Sequence, residues 1–327
     1  QVKSRIWILR RSVTSATTNN RQKGKKMSYK KDHIKGLYVP LVTPFNADES
    51  IDYEGYKKVI DYVIENGMDG VLVGGTTGEY HMMSVEERKE LIKKGCEIVA
   101  GRVPVVAGTG MATAKATREM NDYAAECGAK FGLVLPPYYH QTTEVGIYEF
   151  YKEIAEDTKV GIIVYYTPDS TNVHMSPELL KRIAELDGIA AVKETVDETH
   201  TSNTYMATLG IPDFTIMEAN EPLLIPSYSI GIDAAFSICF NLIPKEMREM
   251  YDLVFKKNDI AAARELNKKL YPIFAMMEEE PYPGPVKAGL DAIGLPGGIV
   301  RKPLVQPSDG LRARMKEELK KLGYAVK

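Results

Sequence analysis

The chain has 327 residues, 44% of them apolar and 26% charged, with 26 Gly, 18 Pro and 3 Cys. This composition excludes a disordered, collagenous or disulfide-scaffold protein, and a chain of this length needs no metal or disulfide to hold a core. The formal net charge of −2 hides an asymmetry: residues 1–26 carry eight Lys and Arg and no Asp or Glu, which leaves 34 basic against 44 acidic side chains in the remainder. A body of that sign is poorly suited to neutralising phosphates, so no nucleic-acid partner is expected. The basic head is rich in Ser, Thr and Arg, as a transit peptide is, although its apolar run from Ile6 to Leu9 is too short for a signal peptide or membrane anchor. The simpler expectation is an upstream or appended segment ahead of Met27, in a cytoplasmic protein with no membrane partner. An organelle matrix is expected if the head is a genuine transit peptide. Cys96, Cys127 and Cys239 are odd in number and scattered, as reduced thiols are.

From Gly36 onward, short apolar runs alternate with helical patterns. The runs are 37–43, 70–75, 103–110, 131–137, 160–166, 189–194, 214–219 and 234–240. Runs that are apolar on both faces and followed by helices indicate parallel strands buried on both sides. The first helix has its apolar face in Tyr56, Val59, Ile60, Val63 and Ile64, and stops at Asn66-Gly67. Ser84 to Glu87 reads as a capping box, and Ser176-Pro177-Glu178 as an N-cap followed by proline in the first turn. With an eighth helix at 244–256, the count is that of a (β/α)8 TIM barrel, with a doubly wound sheet as the competing arrangement. The expected organisation is a basic extension at 1–26, a barrel over 27–256, and a C-terminal helical appendage over 257–327 with helices at 260–277, 285–293 and 308–322.

A barrel builds its active site at the carboxyl ends of its strands. The second run ends in Gly74-Gly75-Thr76-Thr77-Gly78-Glu79, which has neither the lysine of a phosphate loop nor dinucleotide spacing. Its hydroxyls and closely approachable backbone suit a small carboxylate, although a tight turn capping a helix would look the same. The fourth run ends in Tyr138-Tyr139 and the fifth in Tyr165-Tyr166; either pair alone reads as packing. In Ala190-Ala191-Val192-Lys193-Glu194, alternation points Lys193 to the face of Ala191, toward a barrel interior where lysine is rare. A snorkelling lysine and a Schiff-base lysine both remain open on this strand alone. Combined with a nearby phenol and a threonine-rich anion cradle, the lysine fits carbonyl condensation. The amine must be neutral to attack a ketone, and a phenol can move the proton as carbinolamine becomes imine. The five histidines show no metal-ligand spacing, so no metal is expected; His140 is the one histidine expected near substrate.

From about Gly36 to Leu304 the chain resembles the dihydrodipicolinate synthase / N-acetylneuraminate lyase family of class I pyruvate-type aldolases. The resemblance is carried by Val42-Thr43-Pro44-Phe45, Gly75 to Glu79, Pro137-Tyr138-Tyr139, Tyr165 with Pro168, Val192-Lys193-Glu194, Pro285 to Ala288 and Gly298 to Leu304. It implies a covalent imine between Lys193 and pyruvate or another 2-keto acid, with no cofactor and an aldehyde as second substrate. It further implies Tyr165 as general acid/base, Thr76 as relay, Gly75, Thr77 and Gly78 as carboxylate-binding, and Tyr139 reaching into a neighbour's relay in a homodimer or homotetramer. The nearest branch is 4-hydroxy-tetrahydrodipicolinate synthase. Alternatives are a 2-keto-3-deoxy sugar acid aldolase or dehydratase, an N-acetylneuraminate lyase, and an inactive keto-acid-binding homologue. Synthases of the family usually carry Asn and Arg where this chain has Tyr166 and Ser170, and Ser cannot reproduce a guanidinium fork. Lysine-inhibited members hold their ligand at the loop after the third strand, where this chain has no Asn and places Lys115 where a Glu is usual.

Overall fold

The computed structural model describes residues 34–140 and 142–327, so the basic head at 1–26 lies outside the described residues. Eight parallel strands close into a barrel in chain order. They are β1 (Gly36–Pro40), β2 (Gly70–Val73), β3 (Val105–Gly108), β4 (Phe131–Val134), β5 (Gly161–Tyr166), β6 (Ile189–Glu194), β7 (Thr215–Glu218) and β8 (Ala234–Phe236). The helices are α1 (Tyr53–Glu65), α2 (Val85–Val99), α3 (Ala114–Glu126), α4 (Glu144–Ala155), a single turn α5 (Pro168–Thr171), α6 (Pro177–Ala184), α7 (Glu198–Thr208), α8 (Leu224–Ser229) and α9 (Pro244–Phe255). Three more, α10 (Ile260–Met276), α11 (Gly284–Ala292) and α12 (Asp309–Lys321), follow the barrel. Among the described residues no helix is long and apolar enough to cross a membrane.

All eight expected runs form strands, and closure replaces the competing open sheet. Most strands are shorter than their apolar runs. β1 ends at Pro40, where the side chain of Asn241 takes over the pairing: its Nδ2 donates to Pro40 O at 2.9 Å and its Oδ1 accepts from Val42 N at 3.2 Å. Helix starts follow local chemistry. Asp52, Thr113, Thr143, Ser176, Asp197, Asp259 and Ser308 each accept a hydrogen bond from the backbone N–H three residues on. Ser84 and Glu87 complete the capping box in both directions, at 3.1 and 3.0 Å.

Strand alternation divides the core. Tyr38, Leu72, Val106, Phe131, Ile163, Ala191, Met217 and Phe236 fill the barrel interior, while the alternate residues pack against the helices. The pattern slips once. Ile162 pairs with Ile189 and Ile163 with Ala191, so Ala190 bulges out of register and joins the interior cluster beside Ala191. Alternation resumes after the bulge, and this phase turns Lys193 inward.

The C-terminal helices share one apolar cluster with the barrel. Leu270, Phe274, Val286, Leu290, Leu311 and Met315 pack in the same core as Val39, Leu41 and Val73. A buried ion pair adds a fixed point. Lys287 of α11, 1% exposed, places Nζ 2.5 Å from Oε1 of Glu79, which is fully buried at the end of the Gly-Thr loop. Lys287 Nζ also donates to Ile299 O at 2.6 Å, and Arg301 N donates to Glu79 Oε2 at 2.9 Å. The Arg301 guanidinium reaches Glu87 and the carbonyls of Glu49 and Met82, and lies over the Phe45 ring.

Removing one partner of a buried pair strands the other charge. Lys287→Met is therefore expected to lower unfolding free energy by about 3–5 kcal/mol in urea titrations, with the double variant Glu79→Gln/Lys287→Met recovering most of the loss. A single variant within about 1 kcal/mol of the parent would show that the pair contributes little.

Candidate active site

The Gly-Thr loop leaves β2 through Gly74, whose φ of +67° is accessible mainly to glycine. β3 passes so close that a Cβ on Gly108 would lie 1.9 Å from Gly74 O. Gly78 N donates to Gly75 O and Glu79 N to Thr76 O, both at 3.0 Å, while Thr43 Oγ1 donates to Gly78 O at 2.9 Å. These bonds close the turn and set Thr76 and Thr77 on the rim of the barrel. The hydroxyl of Thr77 is hydrogen-bonded to that of Tyr282, which precedes α11. Gly78 serves the turn, its N–H being committed within the loop.

Lys193 and Tyr165 are register partners on β6 and β5. Both are buried, at 7% and 8% exposure, and Lys193 Nζ lies 3.7 Å from the centroid of the Tyr165 ring and 5.7 Å from that of Phe236. No carboxylate among the described residues lies within ion-pair distance of Lys193. Burial by itself would push the Tyr165 phenol up, but the Lys193 charge and hydrogen bonds with Lys193, Thr76 and Thr195 outweigh it and hold the phenol below its ordinary value. The lysine, the phenol and the Thr76 hydroxyl thus meet at one point.

They open into a cavity of about 410 Å3 at the carboxyl ends of the strands. Its polar lining comes from Thr76, Thr77 and Tyr282, together with Thr167, Asp169, Ser170, Thr195, Glu221, Ser237 and Glu278. A smaller space beside the loop is lined by Gly75, Thr76, Tyr165, Tyr80 and Arg88. The Arg88 guanidinium is buried there, and no carboxylate among the described residues pairs with it. It donates to the carbonyls of Gly108 and Gly110 at 2.9 and 3.0 Å and to Met111 Sδ at 2.8 Å, and it lies 4.9 Å from the Tyr80 ring centre.

The sequence-predicted residues Lys193, Tyr165, Thr76 and Thr77 converge on the cavity, and Gly75 and Gly78 shape the loop that carries the threonines. Tyr139 does not join them: its side chain is 86% exposed and touches the ring of His140. His140, expected near substrate, lines a separate surface groove with Pro137 and Phe150. β4 ends at Val134, and neither Tyr139 nor His140, in the loop that follows, is among the residues lining this cavity. Sequence reasoning missed Tyr282, Glu221, Arg88 and the pairing of Lys287. Lys287 carried the same signal as Lys193, a cation in an apolar run, in Pro285-Val286-Lys287-Ala288.

Residues 33–322 match the model of the dihydrodipicolinate synthetase family. The chain belongs to this family. Among curated relatives, 4-hydroxy-tetrahydrodipicolinate synthase of Methanocaldococcus jannaschii is 34% identical over 291 residues, covering 89% of this chain and 99% of the relative. The Neisseria gonorrhoeae enzyme of the same name is 35% identical over 290 residues, with the same coverage. Among solved structures, dihydrodipicolinate synthase from Thermotoga maritima superposes with a TM-score of 0.85 at 33% identity, covering 89% of this chain and 99% of that one. A family member from E. coli K12 solved in complex with pyruvate superposes at 0.84 with 27% identity, covering 89% and 99%.

The balance acting on Tyr165 is open to measurement. Replacing Lys193 by Met removes the charge that lowers the phenol and leaves burial unopposed, so its pKa is expected to rise above the ordinary value of about 10. Near-ultraviolet phenolate titration, with Tyr165→Phe identifying the signal, reads the change. A midpoint that stays in place would mean that Lys193 does not govern this phenol.

Proposed function

We propose that this chain is a Schiff-base lyase or synthase that joins pyruvate or a related 2-keto acid to an aldehyde, with Lys193 as the nucleophile. Within the family it is most like 4-hydroxy-tetrahydrodipicolinate synthase. The observation that carries the residue assignment is the meeting of Lys193, Tyr165 and Thr76 in a water-accessible cavity, with no carboxylate to immobilise the amine. In this reading the neutral Nζ attacks the keto carbon, and Tyr165 delivers a proton to the departing hydroxyl as the imine forms. Thr76 passes that proton on, and the Gly75–Thr77 backbone with the Thr77 hydroxyl holds the keto acid's carboxylate. Loss of a methyl proton produces an enamine whose carbon adds to the aldehyde; hydrolysis then frees Lys193. All reacting electrons come from the substrates and the lysine, so no external cofactor enters.

Tyr139 is assigned to a relay shared with a second copy in a homodimer or homotetramer, since an aromatic ring left 86% in solvent on one chain has surface to bury on another. Three free cysteines suit the cytoplasm or an organelle matrix.

Borohydride reduction in the presence of pyruvate should leave a pyruvyl adduct on Lys193, found by peptide mass. Lys193→Ala should abolish both adduct and turnover in a folded protein. Tyr165→Phe should lower the rate by about 10²–10⁴ while still trapping slowly. Turnover within about tenfold of the parent in Lys193→Ala would remove the imine step, as in a protein that only binds keto acids.

The loop after β3 makes a second outcome predictable. It has no Asn and places Lys115 where lysine-inhibited relatives usually have a Glu, and an ammonium there repels a ligand ammonium. Millimolar L-lysine is expected neither to inhibit the enzyme nor to raise its Tm. Sub-millimolar inhibition or a lysine-dependent thermal shift would refute this.

A further inference from the structure

Directly behind the reacting pair, on the outer face of the same strands, lies a second group of titratable side chains that the chemistry above does not use. Tyr166 and Glu194 are register partners one position after Tyr165 and Lys193, and Glu194 pairs in turn with Glu218 on β7. Alternation turns all three toward the helices. Both glutamates are fully buried. Glu218 is surrounded by donors: its Oε1 accepts from Ala219 N and Asn220 N, both at 2.9 Å, and its Oε2 from Ser227 Oγ at 2.5 Å. Glu194 has no such shell. Apart from the ring nitrogen Nδ1 of His200 on α7, 3.5 Å from Oε1, neither of its oxygens has a hydrogen-bonding partner among the described residues.

The surroundings of His200 fix how its ring is protonated. Nε2 lies 2.9 Å from the carbonyl oxygen of Met175, which can only accept, so Nε2 carries a hydrogen. If Nδ1 were then bare, its lone pair would face a buried carboxylate that has no other donor. Thr204 Oγ1, 3.3 Å from Nδ1, serves the ring and not Glu194. One hydrogen between Nδ1 and Oε1 removes the conflict, whichever atom carries it. The other titratable groups around the pair are Tyr166, its ring centre 4.9 Å from that of His200, Asp197, which accepts from His200 N at 3.0 Å, and Glu218. The buried residues of α6 are apolar, and α8 brings Ser227 and Tyr228 to the Glu218 side. Burial by itself would pull the imidazole down, but the bonds to Glu194 and Met175 and the charges of Glu194 and Asp197 outweigh it and hold it above its ordinary value. Burial also pushes the Glu218 carboxyl group up to about 7, and the charge of Glu194 adds to the rise.

We propose that Glu194 and His200 share one proton behind the barrel wall, and that this pair positions the two loops that flank Lys193 and Tyr165. The inference rests on the Schiff-base reading above and adds two positioning residues to it. Glu194 leads directly into Thr195, which lines the cavity and whose N–H donates to Tyr166 O at 2.9 Å. Met175, held by His200 Nε2, ends the segment that begins on the cavity with Thr167, Asp169 and Ser170. α7 thus clamps both loops from outside the barrel. The proton is held through neutral pH and is lost as pH rises past the raised value of the imidazole. A bare Nδ1 then faces Glu194, and the clamp loosens on the alkaline side. The Thr76–Thr77 loop is held by Lys287 and Tyr282 instead, so the carboxylate cradle does not depend on this pair.

Two readouts on the full chain test this. Long-range proton–nitrogen spectra of protein with isotope-labelled histidine, His200→Gln identifying the signal, should place the His200 midpoint above about 6.5, and Glu194→Gln should lower it by about one pH unit or more. Deuterium exchange of the pyruvate methyl group in heavy water follows imine and enamine formation without any aldehyde. His200→Leu should slow this exchange about tenfold to a hundredfold at neutral pH, with the KM for pyruvate within about threefold of the parent. The parent's rate should fall on the alkaline side with the midpoint read from His200. Glu194→Gln puts a fixed N–H where the shared proton was, so its exchange should stay well above that of His200→Leu and lose that alkaline fall. Should His200→Leu fail to fold, Glu194→Gln and the spectra still decide. A His200 midpoint at or below about 6.5, a midpoint unmoved by Glu194→Gln, undiminished exchange in folded His200→Leu, or an alkaline fall that persists at the same midpoint in Glu194→Gln overturns the inference. Absence of both exchange and a borohydride adduct in the parent defeats the Schiff-base reading and the positioning role with it, whereas the spectra test the shared proton on their own.

Discussion

The contact between Glu79 and Lys287 is the constraint on which the site depends. Each group is fully removed from water, and an isolated charge in that position would be very costly. Both oxygens of Glu79 are engaged, one by Lys287 and the other by the Arg301 backbone. Glu79 itself sits in the left-handed region at φ 60°, a conformation that a non-glycine residue keeps only when its surroundings hold it. The loop carrying Thr76 and Thr77 is therefore positioned from outside the barrel, by α11 and the segment after it. Tyr282, which precedes α11, reaches the hydroxyl of Thr77 from the same side. The C-terminal helices act as part of the active-site scaffold as well as a cover for apolar surface.

Two lysines in apolar surroundings meet different fates, and the difference is chemical. Lys287 has a carboxylate at contact distance, which stabilises its ammonium and commits its donors. Lys193 faces aromatic rings, a phenol and hydroxyls, and its nitrogen remains available to a carbonyl carbon. Tyr165 is in turn lowered by that same lysine against the pull of its burial. Proton transfer between a perturbed phenol and an amine side by side is easier than between either group and an ordinary neighbour.

The β6 bulge shows how local irregularity serves this pairing. Strict alternation from Ile189 would place Ala191 on the outer face with Ile189 and carry Lys193 with it. The extra residue at Ala190 resets the phase, and Ala191 and Lys193 both turn inward. The notional reading from Ala191 reached the right face because it started after the bulge. Alternation can be trusted only between irregularities, and their location depends on the neighbouring strands.

Much was legible in the sequence because it is written locally. Alternating buried strands and amphipathic helices, N-caps such as Ser84 and Ser176, and the glycine-rich turn after β2 depend on residues a few positions apart. A lysine in an apolar strand together with strand-end tyrosines and threonines was enough to point to imine chemistry. What only the tertiary structure decided involves partners distant along the chain. Glu79 meets Lys287, Thr77 meets Tyr282, and Glu221 is fixed by Ser237. Such pairings depend on barrel closure and on the return of the C-terminal helices, which bring together groups that carry no mark of one another in their own surrounding sequence.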